Sequence, residues 1–318
     1  MKTISGAQKE LIDALVAEGQ AGNLSAAVLE KDVHVADALH ALSRLQHLHV
    51  QFVFCGGTSL SKAYGLIERM SEDVDLKVVL DAGHGLSKSA QRTHLGKLKE
   101  AVIDSMEALG FVIVEDEKLA LNENRYFASG WLYETRYAAH GSLRPHLSLE
   151  FTVRSPRFET RQKTIGYLAD QLAGRQGDAF AMTCIAVEET LAEKVLSFLR
   201  RHTEHRAGLR DKWDSALVRH IYDTYCIVQS DPSLVERAAL HFRDLVDFDR
   251  EEFPLHKAFI EDPKQCMTAA LTAAGTEDQT RQEYEDVLVP LIYGSIRPTF
   301  AEAFAVFRTT ALTLLATL

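Results

Sequence analysis

The sequence contains no run of apolar residues long enough to cross a bilayer, so it does not predict a membrane protein. Its N-terminal segment lacks the basic start and apolar core of a secretory signal, which points to a cytosolic, or cytoplasmic, protein. Only four cysteines occur in 318 residues and none forms a CxxC pair, so we expect reduced, mostly buried thiols. No HExxH motif or Cys/His cluster accompanies the 13 histidines, so a zinc site is not predicted.

Positive charge is also scarce, because 35 basic residues face 45 acidic ones and the formal net charge is −10. A protein that binds polyanions in general is usually basic. Any nucleic-acid partner must therefore be bound by a local basic patch. Two segments are candidates for such a patch, and each is equally well interpreted as solvated charged surface: 154–163 and 199–212.

The first half of the chain shows patterns of both helices and strands. Apolar spacing predicts two helices within 7–45, and a β-branched and aromatic run predicts a buried strand over 50–55. A helix over 58–67 and a second strand over 74–80 follow. Further on, the patterns predict one long helix and then three strands, at about 89–109, 111–122, 124–139 and 144–155.

After about residue 183 the patterns become helical, with predicted helices over 186–202, 214–229, 233–248 and 302–318. The fold class that we predict is α+β: a mixed sheet flanked by helices, followed by a helical C-terminal domain. The glycines of 172–180 suit a boundary, which divides the chain into domains 1–178 and 179–318.

The stretch "FCGGTSLSKAYGLIERMSEDVDLKVVL" carries the first candidate site. A strand that runs into Gly56 and Gly57 and then into a helix brings backbone N–H groups to a helix N-terminus, which favours an anion. Thr58 or Ser59 could cap the helix or bind a phosphate oxygen, and Lys62 lies one turn further on. The stretch is neither a GxxxxGK[ST] P-loop nor a GxGxxG motif, and by itself it also fits an ordinary strand–helix–strand unit.

Two aspartates at strand spacing give a more specific signal. Asp73 and Asp75 project to one face of the predicted strand. Their carboxylates would repel by roughly 4 kcal/mol at 4 Å and an effective dielectric constant near 20, and Mg²⁺ would compensate that repulsion. Glu150 is the candidate third carboxylate, with Glu134 and Glu115 as rivals, and three carboxylates on neighbouring strands could hold two metal ions. On an edge strand the same residues would be solvated surface.

These residues resemble a known family. "GGTSLSKAYGLIERMSEDVDL" is similar to the nucleotidyltransferase signature of the AbiEii/MenT toxin family, within the DNA polymerase β-like superfamily. "EKDVHVADALHAL" resembles its opening motif, and "VEETLAEKVLSFLRR" and "RHIYDTYCI" resemble its later motifs. The likeness runs in order from about residue 30 to 228 and implies a nucleotidyltransferase-like N-terminal domain.

The resemblance assigns roles to the first motif, residue by residue. It implies that Gly57, with Thr58 or Ser59, cradles the phosphates of an NTP. Asp73 and Asp75 would ligate Mg²⁺ or Mn²⁺. The 15 residues between Gly57 and Asp73 are more than is general in the superfamily but close to what this toxin family tolerates.

The later motifs supply further candidates by the same resemblance. Lys194 would contact the triphosphate or the acceptor, although helical periodicity alone places it beside an apolar stripe as a surface lysine. Asp223 would complete the site, and Arg69 occupies the position of a basic residue common before the aspartates. Glu150 fits the family's strand carboxylate less securely. His220 stands where an aspartate is usual, so that position is not expected to have an acidic role.

The predicted function is nucleotidyl transfer. A Mg²⁺-bound NTP would be attacked at its α-phosphate, and the nucleoside monophosphate would pass to an acceptor hydroxyl. The resemblance implies a toxin that modifies the 3′ end of tRNA and pairs with a separate cognate antitoxin. Two alternatives remain open: nucleotidylation of a protein or a small molecule, and a non-catalytic nucleotide-binding module.

Overall fold

The structure is a computed structural model that describes residues 1–138 and 143–318. Within them the chain forms two compact units. The segments of the first unit are Met1–Gly65, Met70–Pro156 and Thr160–Ile185, and those of the second are Leu66–Arg69, Arg157–Glu159 and Ala186–Leu318. The predicted boundary after residue 178 falls just before the last strand of the first unit.

The first unit contains a mixed sheet, seven-stranded in the part of the chain that the structure describes. Its strands are β1 (Val50–Cys55), β2 (Asp73–Leu80), β3 (Val112–Leu121), β4 (Tyr126–Leu132), β5 (His146–Val153), β6 (Arg161–Ile165) and β7 (Phe180–Cys184). The strand order is β3-β4-β5-β2-β1-β7-β6. At the centre, β2 pairs antiparallel with β1 and parallel with β5.

The first unit also contains α-helices, five of them within the described residues. They are α1 (Gly6–Ala17), α2 (Ala26–Arg44), α3 (Gly56–Lys62), α4 (Lys88–Ala108) and α5 (Leu168–Leu172). Leu39 of α2 and Val102 of α4 pack with Val74 and Leu149 of the central strands in one buried cluster. The alternation of apolar and polar residues along β2 and β5 is thus explained by one buried face.

Most predicted elements of this unit are present, with differences in extent. The predicted helix over 58–67 begins at Gly56 and ends at Lys62, because Gly65 adopts a left-handed backbone conformation with a φ of +63°. The predicted strand over 124–139 is shorter, and its last residue, Ala139, lies outside the described residues. The short elements β6, α5 and β7 were not predicted.

The second unit is helical. Its α-helices are α6 (Val187–Arg206), α7 (Val218–Ser230), α8 (Leu234–Ala239), α9 (Phe242–Glu252), α10 (Lys257–Glu261), α11 (Pro263–Thr276), α12 (Asp278–Glu283) and α13 (Phe300–Leu315). The single helix predicted over 233–248 is wrong: it is two helices, because His241 leaves the helical conformation between them. The α+β fold class is confirmed.

Two predictions from composition can be compared with this fold. The four cysteines, all within the described residues, are thiols outside any disulfide; three are buried and Cys266 is half-buried. Over the described ranges, the helices include none with both the length and the apolarity that a membrane crossing requires.

Candidate active site

The two aspartates of the first motif occupy the start of the central strand β2. Asp73 and Asp75 lie on the face opposite Val74 and Leu76, which are 0% and 1% exposed. The parallel pairing with β5 places Glu150 directly beside Asp75. Asp73 and Asp75 therefore share one face of the strand, as their spacing predicted. A third carboxylate lies on the neighbouring strand.

The two rival glutamates lie elsewhere. The side chain of Glu115 is 72% exposed on the edge strand β3, where it pairs with Lys118. Glu134 is exposed beyond the end of β4. Only Glu150 of the three has a register position next to the aspartates.

The donor atoms of this face suit Mg²⁺, which binds one or two carboxylates and completes its shell with substrate phosphates and water. Asp73 and Asp75 supply that pair on one strand face. Across residues 1–138 and 143–318, no three Asp, Glu, His or Cys side chains are grouped closely enough to hold a metal ion by themselves. The carboxylates thus fit an ion that arrives with a nucleotide better than a permanently caged one.

The glycine that begins α3, Gly56, lies against the second aspartate, Asp75. Gly56 has a φ of +77°, and a β-carbon at this position would overlap the carboxylate of Asp75. The preceding Cys55 pairs with Asp75 across the antiparallel β1–β2 ladder. The motif therefore needs glycine here both for its backbone conformation and for the close approach of the carboxylate.

The two hydroxyl residues of the motif are buried within the protein. Thr58 is buried, and its hydroxyl donates to the carbonyl oxygen of Asp73. Ser59 is fully buried beside the thiol of Cys184. The contact of Thr58 or Ser59 with phosphate stays a prediction, as does the contact of Gly57.

The "EKD" residues of α2 connect the helix to three other segments of the first unit. Glu30 accepts from the backbone N–H of Arg136, and Lys31 pairs with the carboxylate of Glu72. Asp32 accepts from the ammonium of Lys62 at 2.5 Å. Burial raises the pKa of Glu30, whereas the two ion pairs satisfy buried charges. Lys62 therefore has a partner on α2, and its role in nucleotide binding also stays a prediction.

The later predicted residues form a buried charge cluster in the second unit. Asp223 on α7 accepts from Nε of Arg69 at 2.7 Å, from Nη2 of Arg69 at 2.6 Å, and from Nζ of Lys194 at 2.6 Å. The side chains of Asp223, Arg69 and Lys194 are 0%, 3% and 7% exposed. The structure thus brings the predicted residues together in two groups, one in each unit.

Ionisation in this cluster follows from its charges. Burial alone would raise the pKa of Asp223, but the two adjacent cations outweigh that effect and hold its pKa below the ordinary value. Such a carboxylate is a poor general base and a good anchor for Lys194 and Arg69. Burial and the nearby cations hold the pKa of His220 well below its usual value, so His220 is neutral.

Two cations near the aspartates were missed by the sequence analysis. Nη1 of Arg144 lies 2.6 Å from Oδ1 of Asp73. Lys77 is 4% exposed and follows Asp75 on the same face of β2. The strand alternation that placed the aspartates on one face also indicated Lys77, whereas Arg144 had no local signal because 71 positions separate it from Asp73.

The two candidate basic patches are largely engaged in internal contacts. In 199–212, the arginines have acidic partners: Asp249 and Glu204 for Arg200, Asp214 for Arg201, Glu277 for Arg206 and Glu204 for Arg210. In 154–163, Arg157 lies over the ring of Phe248 and Lys163 over that of Tyr64. These contacts indicate that the two segments are charged structural surface rather than a patch for nucleic acid.

Comparisons with known proteins identify a family and a similar fold. The family model described as "Nucleotidyl transferase AbiEii toxin, Type IV TA system" matches residues 40–306, which is most of the chain. Among solved structures, the fold is similar to that of MenT4, a nucleotidyltransferase toxin from Mycobacterium tuberculosis H37Rv. That match has a TM-score of 0.54 and 18% identity, and it covers 96% of this chain and 89% of the other. Curated protein sequences give no significant match.

Proposed function

Since the chain belongs to the AbiEii nucleotidyltransferase toxin family, we propose that it transfers a nucleoside monophosphate from a Mg²⁺-bound NTP to the 3′-terminal hydroxyl of tRNA. The observation that carries the proposal is the position of Asp73 and Asp75 on one face of β2, with Glu150 in register on β5. Two adjacent strand carboxylates beside a glycine turn suit a metal–triphosphate complex.

The proposed reaction is a substitution at phosphorus. The acceptor hydroxyl oxygen forms a bond to the α-phosphorus, and the bond from that phosphorus to the oxygen bridging to the β-phosphate breaks. Pyrophosphate leaves with the bridging oxygen, and the hydroxyl proton passes to water. Mg²⁺ or Mn²⁺, when bound, would neutralise charge on the phosphates.

The residues of the first unit bind and orient the substrate. Asp73 and Asp75 would hold the metal, and Glu150 is the candidate third ligand. Gly57 leaves the backbone open to the phosphates because it has no side chain, and Gly56 leaves room for the carboxylate of Asp75. Catalysis would then consist chiefly of positioning and charge neutralisation.

The charge cluster of the second unit has a supporting role in this proposal. Asp223 is a positioning residue, because both of its oxygens are bound by Arg69 and Lys194. By the family resemblance, Lys194 contacts the triphosphate or the acceptor. Replacement of Lys194 by Met is expected to lower transfer and also stability, because it removes one of the two buried cations on Asp223.

The direct test is incubation of the purified chain with Mg²⁺, total tRNA and each NTP labelled at its α-phosphate. Wild type is expected to label tRNA at its 3′ end, and the Asp73→Ala, Asp75→Ala double variant is expected to give none. The matched control is Asp81→Ala, because the Asp81 side chain is 63% exposed just beyond the end of β2. Equal labelling by wild type and the double variant would refute the proposal.

The same reactions distinguish the alternatives if lysate proteins and small molecules are included. Label on a protein band or on a small molecule, with tRNA unlabelled, would keep the transfer chemistry and replace the acceptor. Tight NTP binding by calorimetry with no product on any acceptor would instead indicate a non-catalytic module.

A cognate antitoxin is the remaining partner that we propose. Expression of the wild-type chain is expected to arrest growth, and co-expression of the adjacent gene is expected to restore it. The Asp73→Ala, Asp75→Ala variant should not arrest growth with or without that gene. Arrest by the double variant would separate toxicity from nucleotidyl transfer.

A further inference from the structure

The carboxylate of Asp73 is bound by an arginine outside the predicted site. Nη1 of Arg144 lies 2.6 Å from Oδ1 of Asp73, and the two side chains are 45% and 29% exposed. This is a direct ion pair on one of the two residues that we assign to metal binding. A divalent cation and a guanidinium would compete for the same carboxylate.

The backbone of Arg144 is fixed on both sides by a buried ion pair. Its N–H donates to Oε2 of Glu72 at 3.0 Å, and its carbonyl oxygen accepts from Nζ of Lys31 at 2.7 Å. Lys31 and Glu72 also bind each other, and their side chains are 0% and 5% exposed. The backbone of Arg144 is therefore held in place, whereas its side chain reaches Asp73 from a position open to solvent.

An arginine so placed suits a second partner. Guanidinium keeps its charge at every physiological pH, and its planar donors match phosphate oxygens as well as carboxylate oxygens. A triphosphate bound with its metal at Asp73 and Asp75 would bring several phosphate oxygens to the carboxylate that Arg144 contacts.

Resting on the proposed function, we infer that Arg144 is a nucleotide-binding residue that exchanges partners. Without nucleotide it pairs with Asp73 and weakens metal binding there. With an NTP it releases Asp73 to the metal and contacts the triphosphate. Metal binding is thereby linked to nucleotide binding through one side chain.

This exchange predicts two effects of opposite sign when the guanidinium is removed. Binding of a metal alone should become tighter, by about two- to fivefold, because an exposed ion pair is weak. Binding of the NTP should become weaker, by about tenfold or more, because a charge-assisted hydrogen bond to phosphate is lost. A general loss of structure would weaken both.

The test uses the full chain as wild type, Arg144→Gln and Arg144→Lys. Mn²⁺ binding without nucleotide is measured from the spin-resonance signal of the free ion, and NTP binding with Mg²⁺ is measured by calorimetry. The matched control is Arg175→Gln, since Arg175 is 52% exposed and also lies 2.6 Å from an aspartate, Asp170. The lysine variant should be intermediate, because it keeps the charge and loses the planar donors.

Each outcome decides the inference. Tighter Mn²⁺ binding and weaker NTP binding in Arg144→Gln, with Arg175→Gln like wild type, support the exchange. NTP binding by Arg144→Gln that is unchanged or tighter, with or without a change in Mn²⁺ binding, overturns the exchange. In that case, nucleotide transfer by the wild type would leave the proposed function standing. If wild type binds Mn²⁺ no better than the Asp73→Ala, Asp75→Ala variant and transfers nothing, the proposed function itself fails.

Discussion

Gly56 lies so close to Asp75 that a β-carbon on the glycine would overlap the carboxylate. Gly56 begins α3, and Asp75 lies on β2. Cys55, the residue before the glycine, pairs with Asp75 across the β1–β2 ladder. The double-glycine motif and the aspartate motif are thus one structural unit. The glycine is required by the position of the second aspartate as well as by its own φ of +77°.

Replacement of Gly56 by Ala is expected to lower both stability and activity. The change adds the strain of a left-handed alanine, about 1–2 kcal/mol, and displaces the Asp75 carboxylate. The matched control is Gly65→Ala, because Gly65 has a φ of +63° and open space around its missing β-carbon. Urea unfolding should therefore show a loss in both variants, whereas NTP binding should fall only in Gly56→Ala.

An equal loss of NTP binding in Gly56→Ala and Gly65→Ala would contradict this argument. It would mean that backbone strain in this region, and not the position of the Asp75 carboxylate, controls the site.

The sequence predicted the central elements well because their signals are local. The run at β1, the apolar face of α2 and the alternation around Asp73 and Asp75 are each contained in a few consecutive residues. The weak elements β6 and β7 were missed because they are short and lie within or next to charged and glycine-containing segments.

Buried charges were the other failure of sequence reasoning. Periodicity alone places Lys194 at the surface, yet the residue is only 6% exposed and its ammonium pairs with the carboxylate of Asp223. The pairing of Arg144 with Asp73 depends on how distant segments meet. Such contacts are set by tertiary structure, and no spacing within one segment can indicate them.

Replacement of Lys31 by Met is expected to destabilise the first unit by about 3–5 kcal/mol, because it leaves the buried Glu72 carboxylate without its cation. Its matched control is Lys9→Met. The Lys9–Asp13 pair is 44% and 48% exposed, so its loss should cost less than about 1 kcal/mol. Urea titration gives both free energies of unfolding. Similar losses in the two variants would show that Lys31 is not a structural anchor.

Replacement of Asp223 by Asn should cost about 3–5 kcal/mol of unfolding free energy, because two buried cations lose their shared carboxylate. The pKa of Asp223 is lowered in the folded protein, so its contribution is complete above the ordinary pKa of 3.8 and is lost as pH falls further. The difference between the unfolding free energies of wild type and Asp223→Asn should therefore be constant above about pH 4 and decrease below it. Asp231→Asn is the control, since the exposed Asp231–Arg237 pair should contribute little.

A difference between wild type and Asp223→Asn that shrinks near neutral pH would contradict the cluster as described. It would require a partner that titrates there, and a neutral His220 does not.

Two fully buried histidines are expected to contribute to the loss of stability of the chain in mild acid. His34 lies against the ring of Tyr133 and His202 against that of Trp213, and burial lowers the pKa of each histidine to about 4. The unfolded chain binds their protons near pH 6.5, whereas the folded chain does not. Stability must therefore fall as pH drops from 6.5 to 4, by up to about 3 kcal/mol for each histidine.

His34→Gln and His202→Gln should each flatten this acid limb, whatever their effect at pH 8, because the unfolded chain then binds one proton fewer. Urea unfolding at half-unit steps from pH 4 to 8 measures the slope, which should decrease by up to about 1.4 kcal/mol per pH unit in each variant. His49→Gln is the control, since the His49 side chain is 34% exposed and pairs with Asp81. An unchanged slope in both buried-histidine variants would show that these rings are protonated in the folded protein, against the environment that surrounds them.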